Sequence, residues 1–238
     1  MIRLNKFLAE RGVCARRKAD ALIAAGAVTV DGRVARLGES VDPSRHVVCV
    51  RGKRVDPTVS ERRTLVLHKP IGVVTTLHDE HGRRSIAALL PSSPRFFPVG
   101  RLDVASTGVL LCTTDGELAR VLTHPSFGVE KIYRVRASGD MTESTRLALG
   151  AMRTRRRADG TWTFDVALRE GRNRQVRRMC AQRGLRVLEL ARVRFGPVEI
   201  GSLPAGSTRS LTAAEKRALD TLMRDAARQK RAAVQPTE

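Results

Sequence analysis

An uninterrupted apolar run, Val109-Leu110-Leu111-Cys112, places the strongest constraint on how this chain can fold. Four such residues in succession indicate a strand that is buried in a core. A polar stretch that starts at Gly100 leads into this strand and contains Asp103. An Asp in such a position is ordinarily structural, because Asp and Gly are common turn residues. The rest of the chain must show whether Asp103 also takes part in chemistry.

Strand and helix patterns alternate irregularly from residue 62 onward. The patterns predict strands over residues 64–68, 72–77, 108–113, 131–137 and 162–168, the last with the clearest period of two. They predict helices over 116–122 and 174–182 and from residue 213, where Thr212 and Glu215 form a capping box. We therefore expect an α+β domain with a mixed, mostly antiparallel central sheet flanked by helices.

The first part of the chain has a different pattern. Apolar residues recur at helical spacing over residues 3–11 and 15–25, and two strands flank the turn Asp31-Gly32. A further strand is predicted over 46–50. A polar segment that contains Pro57 follows. We predict a small domain over 1–57, a linker over 58–61, a larger domain over 62–225 and a mobile basic tail over 226–238.

The net charge of the chain indicates which class of partner it binds. Lys and Arg number 44 and Asp and Glu number 24, so the net charge is +20. This surplus of positive charge favours a polyanion as the binding partner. Nucleic acid is the first candidate, and an anionic membrane surface is the alternative. We find no apolar stretch long enough to span a bilayer and no signal peptide, and we expect no membrane partner. Aromatic residues make up only 3% of the chain, which excludes a platform of many stacking rings.

Several classes of chemistry lack their sequence motifs. The four cysteines form no C-x-x-C pair, so we expect reduced thiols, a cytoplasmic location and no zinc. Neither a G-x-G-x-x-G loop nor a P-loop is present. His78 and His81 could suggest a metal site, but the stretch runs into Gly82-Arg83-Arg84 and favours a solvated loop. We expect neither metal nor cofactor; acid chemistry with one carboxylate, several arginines and one tyrosine remains.

Residues 1–55 resemble the S4 RNA-binding domain. The matching pattern is LNKFLAERG followed by ARRKADALIAAGAVTVDGRVARLGESV. One position departs from it, because Ala15 stands where the family usually has a capping Ser, at a cost of about 1 kcal/mol. By this resemblance the first two helices bind RNA through their basic residues, although a solvated helix face is the alternative. These residues are Arg3, Lys6, Arg16, Arg17 and Lys18.

The stretch around Asp103 resembles the signature of pseudouridine synthases, and most of all the RsuA/RluB branch, which modifies ribosomal RNA and carries an N-terminal S4 domain. Five motifs occur in the order of that family, over residues 1 to about 215. They are HKPxGVVTT from His68, GRLDxxSTG from Gly100, EKIYRV from Glu130, EGRNRQVRRM from Glu170 and LARVRFG from Leu190. A lone R-L-D would be a weak signal, but five ordered motifs are a strong one.

The resemblance implies roles for particular residues. Asp103 is the nucleophile, which either attacks C1′ of a flipped-out uridine or removes its 2′ proton. Tyr133 stacks on the uracil, and Arg177 pairs with Asp103. Four further residues are implied to bind the substrate: Arg101 beside the flipped nucleotide, Leu190 as a pocket wall, and Lys69 and Arg172 as phosphate contacts. The basic run 153–157 is interpreted as a solvated loop beside RNA.

The function that follows is isomerisation of specific uridines in ribosomal RNA to pseudouridine, with a preference for the large-subunit 23S RNA. We expect a cytoplasmic monomer that acts on ribosomal RNA or a pre-ribosomal particle. One alternative is a non-catalytic S4-type RNA-binding or ribosome-assembly protein, which would not need the intact R-L-D motif, Tyr133 and Arg177. Another is an S4-linked RNA methyltransferase, whose glycine-rich cofactor loop is missing.

Overall fold

The structure is a computed structural model that describes residues 1–58 and 62–232. Two compact units are distinguished. The first contains Met1–Arg63 together with the short segments Ser92–Arg95 and Thr114–Gly116, and the second contains the remaining residues. Most of the predicted linker and the end of the predicted tail lie outside the described residues.

Among its described residues, the first unit contains two helices and six short strands. These are β1 (Ile2–Arg3), α1 (Leu4–Glu10), α2 (Arg16–Ala24), β2 (Val28–Val30), β3 (Arg33–Val34), β4 (Ser40–Val41), β5 (Val48–Val50) and β6 (Lys53–Arg54). β1 pairs with β4, and the other four strands form an antiparallel sheet in the order β3-β2-β5-β6. Asp31 and Gly32 join β2 to β3 with φ of 50° and 81°, the backbone of a type I′ turn.

Both predicted helices of this unit are confirmed, and their apolar stripes form its core. Leu4, Phe7 and Leu8 of α1 pack with Ala19 and Ile23 of α2. Helix α2 begins at Arg16 although Ala15 provides no side-chain cap. Burial of the apolar stripe therefore stabilises the start of this helix without a capping hydrogen bond. The five basic residues proposed to bind RNA are all exposed.

The second unit contains nine strands and four helices among its described residues. These are β7 (Thr64–Lys69), β8 (Phe97–Pro98), β9 (Thr107–Thr113), α3 (Gly116–Thr123), β10 (Lys131–Ser138), α4 (Glu143–Leu149), β11 (Met152–Arg156), β12 (Trp162–Leu168), α5 (Gln175–Ala181), β13 (Arg186–Phe195), β14 (Val198–Glu199), β15 (Thr208–Ser210) and α6 (Ala213–Ala232). Short 3₁₀ turns lie at Ile86–Leu89 and Pro125–Phe127. In the described ranges, no helix combines the length and the apolar character that a bilayer crossing requires.

The nine strands form one sheet in the order β11-β12-β10-β13-β9-β7-β15, with β8 beside β9 and β14 beside β13. Every pairing is antiparallel except that of β9 with β13. The prediction of an α+β fold with a mixed, mostly antiparallel sheet is confirmed. The capping box is also confirmed, since the Thr212 hydroxyl accepts from the Glu215 amide at 3.2 Å and the Glu215 carboxylate accepts from the Thr212 amide at 2.8 Å.

Two local predictions are wrong. Residues 72–77 form a loop and not a strand, because Gly72 has a φ of 82° and the hydroxyls of Thr75 and Thr76 bond to backbone carbonyls. The basic run 153–157 is not a loop, because most of it belongs to β11, which pairs with β12 at the edge of the sheet. Charged residues there stay in solvent while the backbone still pairs.

The end of the chain also differs from the expected tail. Helix α6 continues to Ala232, well into the segment 226–238 that we predicted to be mobile. Leu219 and Ala226, which are about two turns apart on this helix, are both buried, so apolar contacts extend further than the charged sequence suggests. Residues 233–238 lie outside the described residues.

The parallel pairing of β9 with β13 depends on one glycine. Gly108 lies opposite Arg192, and a Cβ atom at Gly108 would lie 2.2 Å from the carbonyl oxygen of Arg192. The φ of Gly108 is 113°, a conformation that side chains disfavour. Gly108 therefore allows the two strands to meet at a distance that no other residue permits.

We predict that Gly108→Ala lowers the free energy of unfolding by about 3 kcal/mol or more, since it adds both a backbone clash and conformational strain. Urea denaturation measures the change. Gly116→Ala is the matched control, because a Cβ at Gly116 meets nothing within 4 Å. Equal stability of the two variants would show that the close approach of β9 to β13 is not required.

Candidate active site

A pocket of about 380 Å³ lies in the second unit, against one face of the sheet. This volume is in the range of small-ligand sites. Five of the seven residues predicted for catalysis or substrate binding line it: Arg101, Asp103, Tyr133, Arg172 and Leu190. Asp103 is the only carboxylate among the described residues that line this pocket. The carboxylate singled out from the sequence therefore faces a cavity.

The loop that carries Asp103 is fixed by hydrogen bonds on both sides of this residue. The hydroxyl of Thr75 accepts from the Leu102 amide at 3.2 Å and donates to the Leu102 carbonyl at 2.7 Å. The Gly72 amide donates to the Val104 carbonyl at 2.9 Å. The segment 72–77, which we expected to be a strand, thus supports the loop through its irregular backbone.

Arg177 holds the same loop from the other side. Its Nη2 donates to the Ala105 carbonyl at 2.8 Å, and its Nη1 donates to the Val187 carbonyl at 3.3 Å. Arg177 makes these two contacts with backbone carbonyls and forms no direct ion pair with Asp103 in this structure. Burial lowers the pKa of Arg177, Arg174 adds to that effect, and the Asp103 carboxylate opposes it. Arg177 is therefore close enough to Asp103 for their charges to interact.

Lys69 lies where it cannot make the predicted phosphate contact. Its side chain is fully buried on β7, and Nζ donates to the Pro70 carbonyl at 2.8 Å. Burial lowers the pKa of Lys69 from 10.5 to about 8, against the opposing effect of the Asp103 carboxylate. A lysine without exposed surface cannot reach an RNA phosphate. Lys69 instead supplies a buried positive charge near Asp103.

A β-bulge shapes the floor of the pocket. Lys131 pairs with Phe195 and Tyr133 with Arg192, so β13 has one more residue than β10 between these pairs. Because of this extra residue, Arg192 and Phe195 both face the pocket although they are three positions apart. Leu190 is also on this face and is 5% exposed. The bulge thus gathers side chains that a regular strand would separate.

Charged residues differ sharply in burial between the floor and the rim. Arg192 and Lys131 on the floor are 3% and 6% exposed. Arg101, Arg172 and Arg174 at the rim are exposed, and Arg172 pairs with Glu170 at 2.9 Å. The rim can therefore contact a polyanion, whereas the floor can contact only what enters the pocket.

Sequence reasoning missed three residues of the site: Lys131, Arg192 and Thr75. Lys131 and Arg192 lie in the motifs given above. Arg192 and Arg194 are both arginines of the same motif, two positions apart, so the sequence gives no reason to prefer one of them as a site residue. Only burial separates them, since Arg194 turns to the opposite face and pairs with Glu130. Within residues 1–58 and 62–232, no group of three or more His, Cys, Asp or Glu side chains could hold a metal ion.

The arrangement can bring a carboxylate and an aromatic ring to a ligand that is shielded from water. Comparison with known proteins identifies relatives with this composition of domains. Residues 63–182 match the RNA pseudouridylate synthase family, and residues 2–47 match the S4 domain.

Two curated relatives cover most of the chain. Ribosomal large subunit pseudouridine synthase B of Vibrio cholerae is 41% identical over an alignment of 225 residues that covers 86% of this chain and 70% of the relative. Dual-specificity RNA pseudouridine synthase RluF of Escherichia coli O6:H1 is 35% identical over an alignment of 221 residues that covers 89% of this chain and 76% of the relative. A crystal structure of a pseudouridylate synthase has 27% identity and a TM-score of 0.62, and the match covers 92% of this chain and 100% of that one.

We predict that Thr75→Val loosens the Asp103 loop. The substitution keeps the shape of the side chain but leaves the Leu102 amide and carbonyl without their partner, at a cost of about 1–2 kcal/mol. Hydrogen exchange of the amides of 102–106 should become about ten times faster or more. Thr76→Val, which removes a hydroxyl bound to the His78 carbonyl, is the control. Unchanged exchange in the Thr75 variant would contradict this account of the loop.

We also predict that Lys69 makes stability depend on pH. The folded protein releases the Lys69 proton near pH 8, whereas the unfolded chain holds it to about 10.5. The unfolded state binds more protons in this window, so the free energy of unfolding should rise with pH, by up to about 3 kcal/mol from this group.

Urea denaturation of the wild type and Lys69→Met across this pH window isolates the effect, because other titrating groups are common to both. Lys18→Met, which removes an exposed lysine, is the control. Parallel profiles for the wild type and Lys69→Met would show that Lys69 has an ordinary pKa in the folded state.

Proposed function

The chain belongs to the RNA pseudouridylate synthase family and carries an S4 domain, and we propose that it converts specific uridines of large-subunit ribosomal RNA to pseudouridine with Asp103 as the catalytic carboxylate. The observation that carries this proposal is the position of Asp103. It lies on a loop fixed by Thr75, Gly72 and Arg177, and it is the only carboxylate of the described residues that line the pocket.

Side chains of this protein are sufficient for the proposed isomerisation. Uridine becomes pseudouridine when the base leaves C1′ through N1, turns within the site and rejoins through C5. Nothing is added overall. Asp103 either forms a bond to C1′, which splits one difficult step into two easier ones, or removes the 2′ proton. In both routes the base must be detached while it stays enclosed, and the pocket that Asp103 shares with the buried floor residues meets that need.

Neighbouring residues have separate roles in this proposal. Tyr133 stacks on the uracil, and Leu190 forms an apolar wall of the pocket. Arg177 fixes the loop and supplies positive charge near the carboxylate. A uridine in folded RNA must leave its stack, at a cost of roughly a few kcal/mol, and the exposed Arg101 can fill the vacated place. Arg172 is available for a phosphate, and Lys69, being buried, is not.

The first unit supplies affinity for RNA. Arg3, Lys6, Arg16, Arg17 and Lys18 are exposed on or beside its two helices, where they can contact phosphates. All residues that line the pocket come from the second unit of one chain. We therefore propose that a monomer acts on ribosomal RNA, free or within a pre-ribosomal particle, in the cytoplasm where this substrate is made.

We predict that Asp103→Asn abolishes pseudouridine formation in a large-subunit ribosomal RNA transcript and changes RNA affinity by no more than a few fold. The amide keeps the size of the side chain but cannot act as a nucleophile or a base. Nucleoside analysis measures the product, and filter binding measures the affinity. Asp140→Asn, which changes an exposed carboxylate outside the pocket, should retain full activity. Turnover of the Asp103 variant above a few per cent of wild type would refute the assignment.

A further inference from the structure

Two buried cations on the pocket floor have no acidic partner. Among the described residues, Lys131 and Arg192 form no ion pair, and the only carboxylate that lines the pocket with them is Asp103. Nη2 of Arg192 is buried and makes no hydrogen bond within the described part of the chain. A buried guanidinium nitrogen without an acceptor is costly. Both residues line the pocket, so the free protein keeps two cations beside the cavity without an anion to balance them.

The surroundings keep these two cations in place without neutralising them. Nε of Arg192 donates to the Val109 carbonyl at 2.8 Å. The ring of Phe195 lies 4.6 Å from the Arg192 guanidinium carbon and 5.4 Å from Lys131 Nζ. Cation–π contacts of this kind favour a cation but do not remove its charge. Burial lowers the pKa of Lys131, and the positive charge of Arg192 lowers it further. An anion between the two side chains would relieve both effects.

The reaction produces such an anion inside the pocket. When the C1′–N1 bond breaks, its electron pair stays on the base, and uracil becomes a monoanion whose charge is shared by N1, O2 and O4. At the same step the negative charge of Asp103 is consumed by its bond to C1′ or by the 2′ proton. Negative charge therefore moves from the carboxylate to the base, which lies on the side of Tyr133, Leu190 and the floor.

We propose that Arg192 and Lys131, the two buried cations that line the pocket, bind the detached uracil anion. The proposal rests on the function proposed above. The held anion then turns, its electron pair forms the C5–C1′ bond, Asp103 returns to its starting state, and the C5 proton is replaced by one on N1. Preorganised charge that meets an anion only after bond cleavage accelerates the step that creates it.

An RNA phosphate is the competing ligand for these cations, and burial argues against it. A phosphate of the RNA backbone stays at the surface, where Arg101, Arg172 and Arg174 are exposed. Lys131 and Arg192 are buried in the same pocket as Tyr133 and Asp103, where only the flipped base is expected to reach. Rim and floor cations thus act on different parts of the same nucleotide.

Leaving-group dependence tests the proposal. Single-turnover cleavage of the C1′–N1 bond is measured at saturating RNA that carries either uridine or 5-fluorouridine at the target position. Fluorine withdraws electrons and stabilises the base anion without help from the protein. Lys131→Met and Arg192→Gln should each slow the reaction of uridine by about 100-fold or more. With 5-fluorouridine the loss should be at least about ten times smaller, and RNA affinity should change less than about threefold.

Controls separate this proposal from structural effects and from the proposed function. Lys131→Arg keeps the charge and should restore most of the rate, and Arg194→Gln changes an arginine of the same strand on the opposite face. If Arg192→Gln does not fold, Lys131→Met alone carries the test. An equal loss with both bases, or a loss of affinity that matches the loss of rate, would overturn the proposal. A wild-type protein that forms no pseudouridine would instead overturn the proposed function.

Discussion

The contact between β9 and β13 at Gly108 is the constraint on which the site depends. It is the one parallel pairing in the described sheet, and it joins an antiparallel half formed by β11, β12, β10 and β13 to another formed by β9, β7 and β15. Because the loop of Asp103 leads directly into β9, this junction fixes the loop beside the faces of β10 and β13. Tyr133 and Arg192, which pair across those two strands, are thereby brought to the same pocket as the carboxylate.

Positive charge is distributed around that pocket by burial. Exposed arginines at the rim and on the first unit can attract and hold RNA, and their effect weakens as salt increases. Lys69, Lys131 and Arg192 are shielded from solvent, so their charge acts over short distances and at higher strength. In the function proposed above, the exposed part of this positive charge serves RNA affinity and the buried part serves the chemical step.

Sequence patterns correctly predicted the elements that are specified by residues close to one another in the sequence. The stripes of α1 and α2, the period-two strand β12 and the capping box of α6 are all present as predicted. Residues 72–77 were misassigned because Val and Thr favour strands, whereas Gly72 and the hydroxyl contacts of Thr75 favour a loop. The long strand β13 was not predicted, since its bulge breaks the period of two. The resemblance placed Asp103 and Tyr133 in one site, but no pattern distinguishes buried Arg192 from Arg194 on the opposite face of the sheet, or shows that Lys69 is buried.

The central claim is that this chain makes pseudouridine in ribosomal RNA. Mapping of pseudouridine in ribosomal RNA from a strain that lacks the protein tests it most directly, with the same strain expressing the wild-type chain as reference. We expect one or a few pseudouridines of the large-subunit RNA to be lost and to return when the chain is expressed. An unchanged set of pseudouridines in both ribosomal subunits, in a strain shown to lack the protein, would contradict the account.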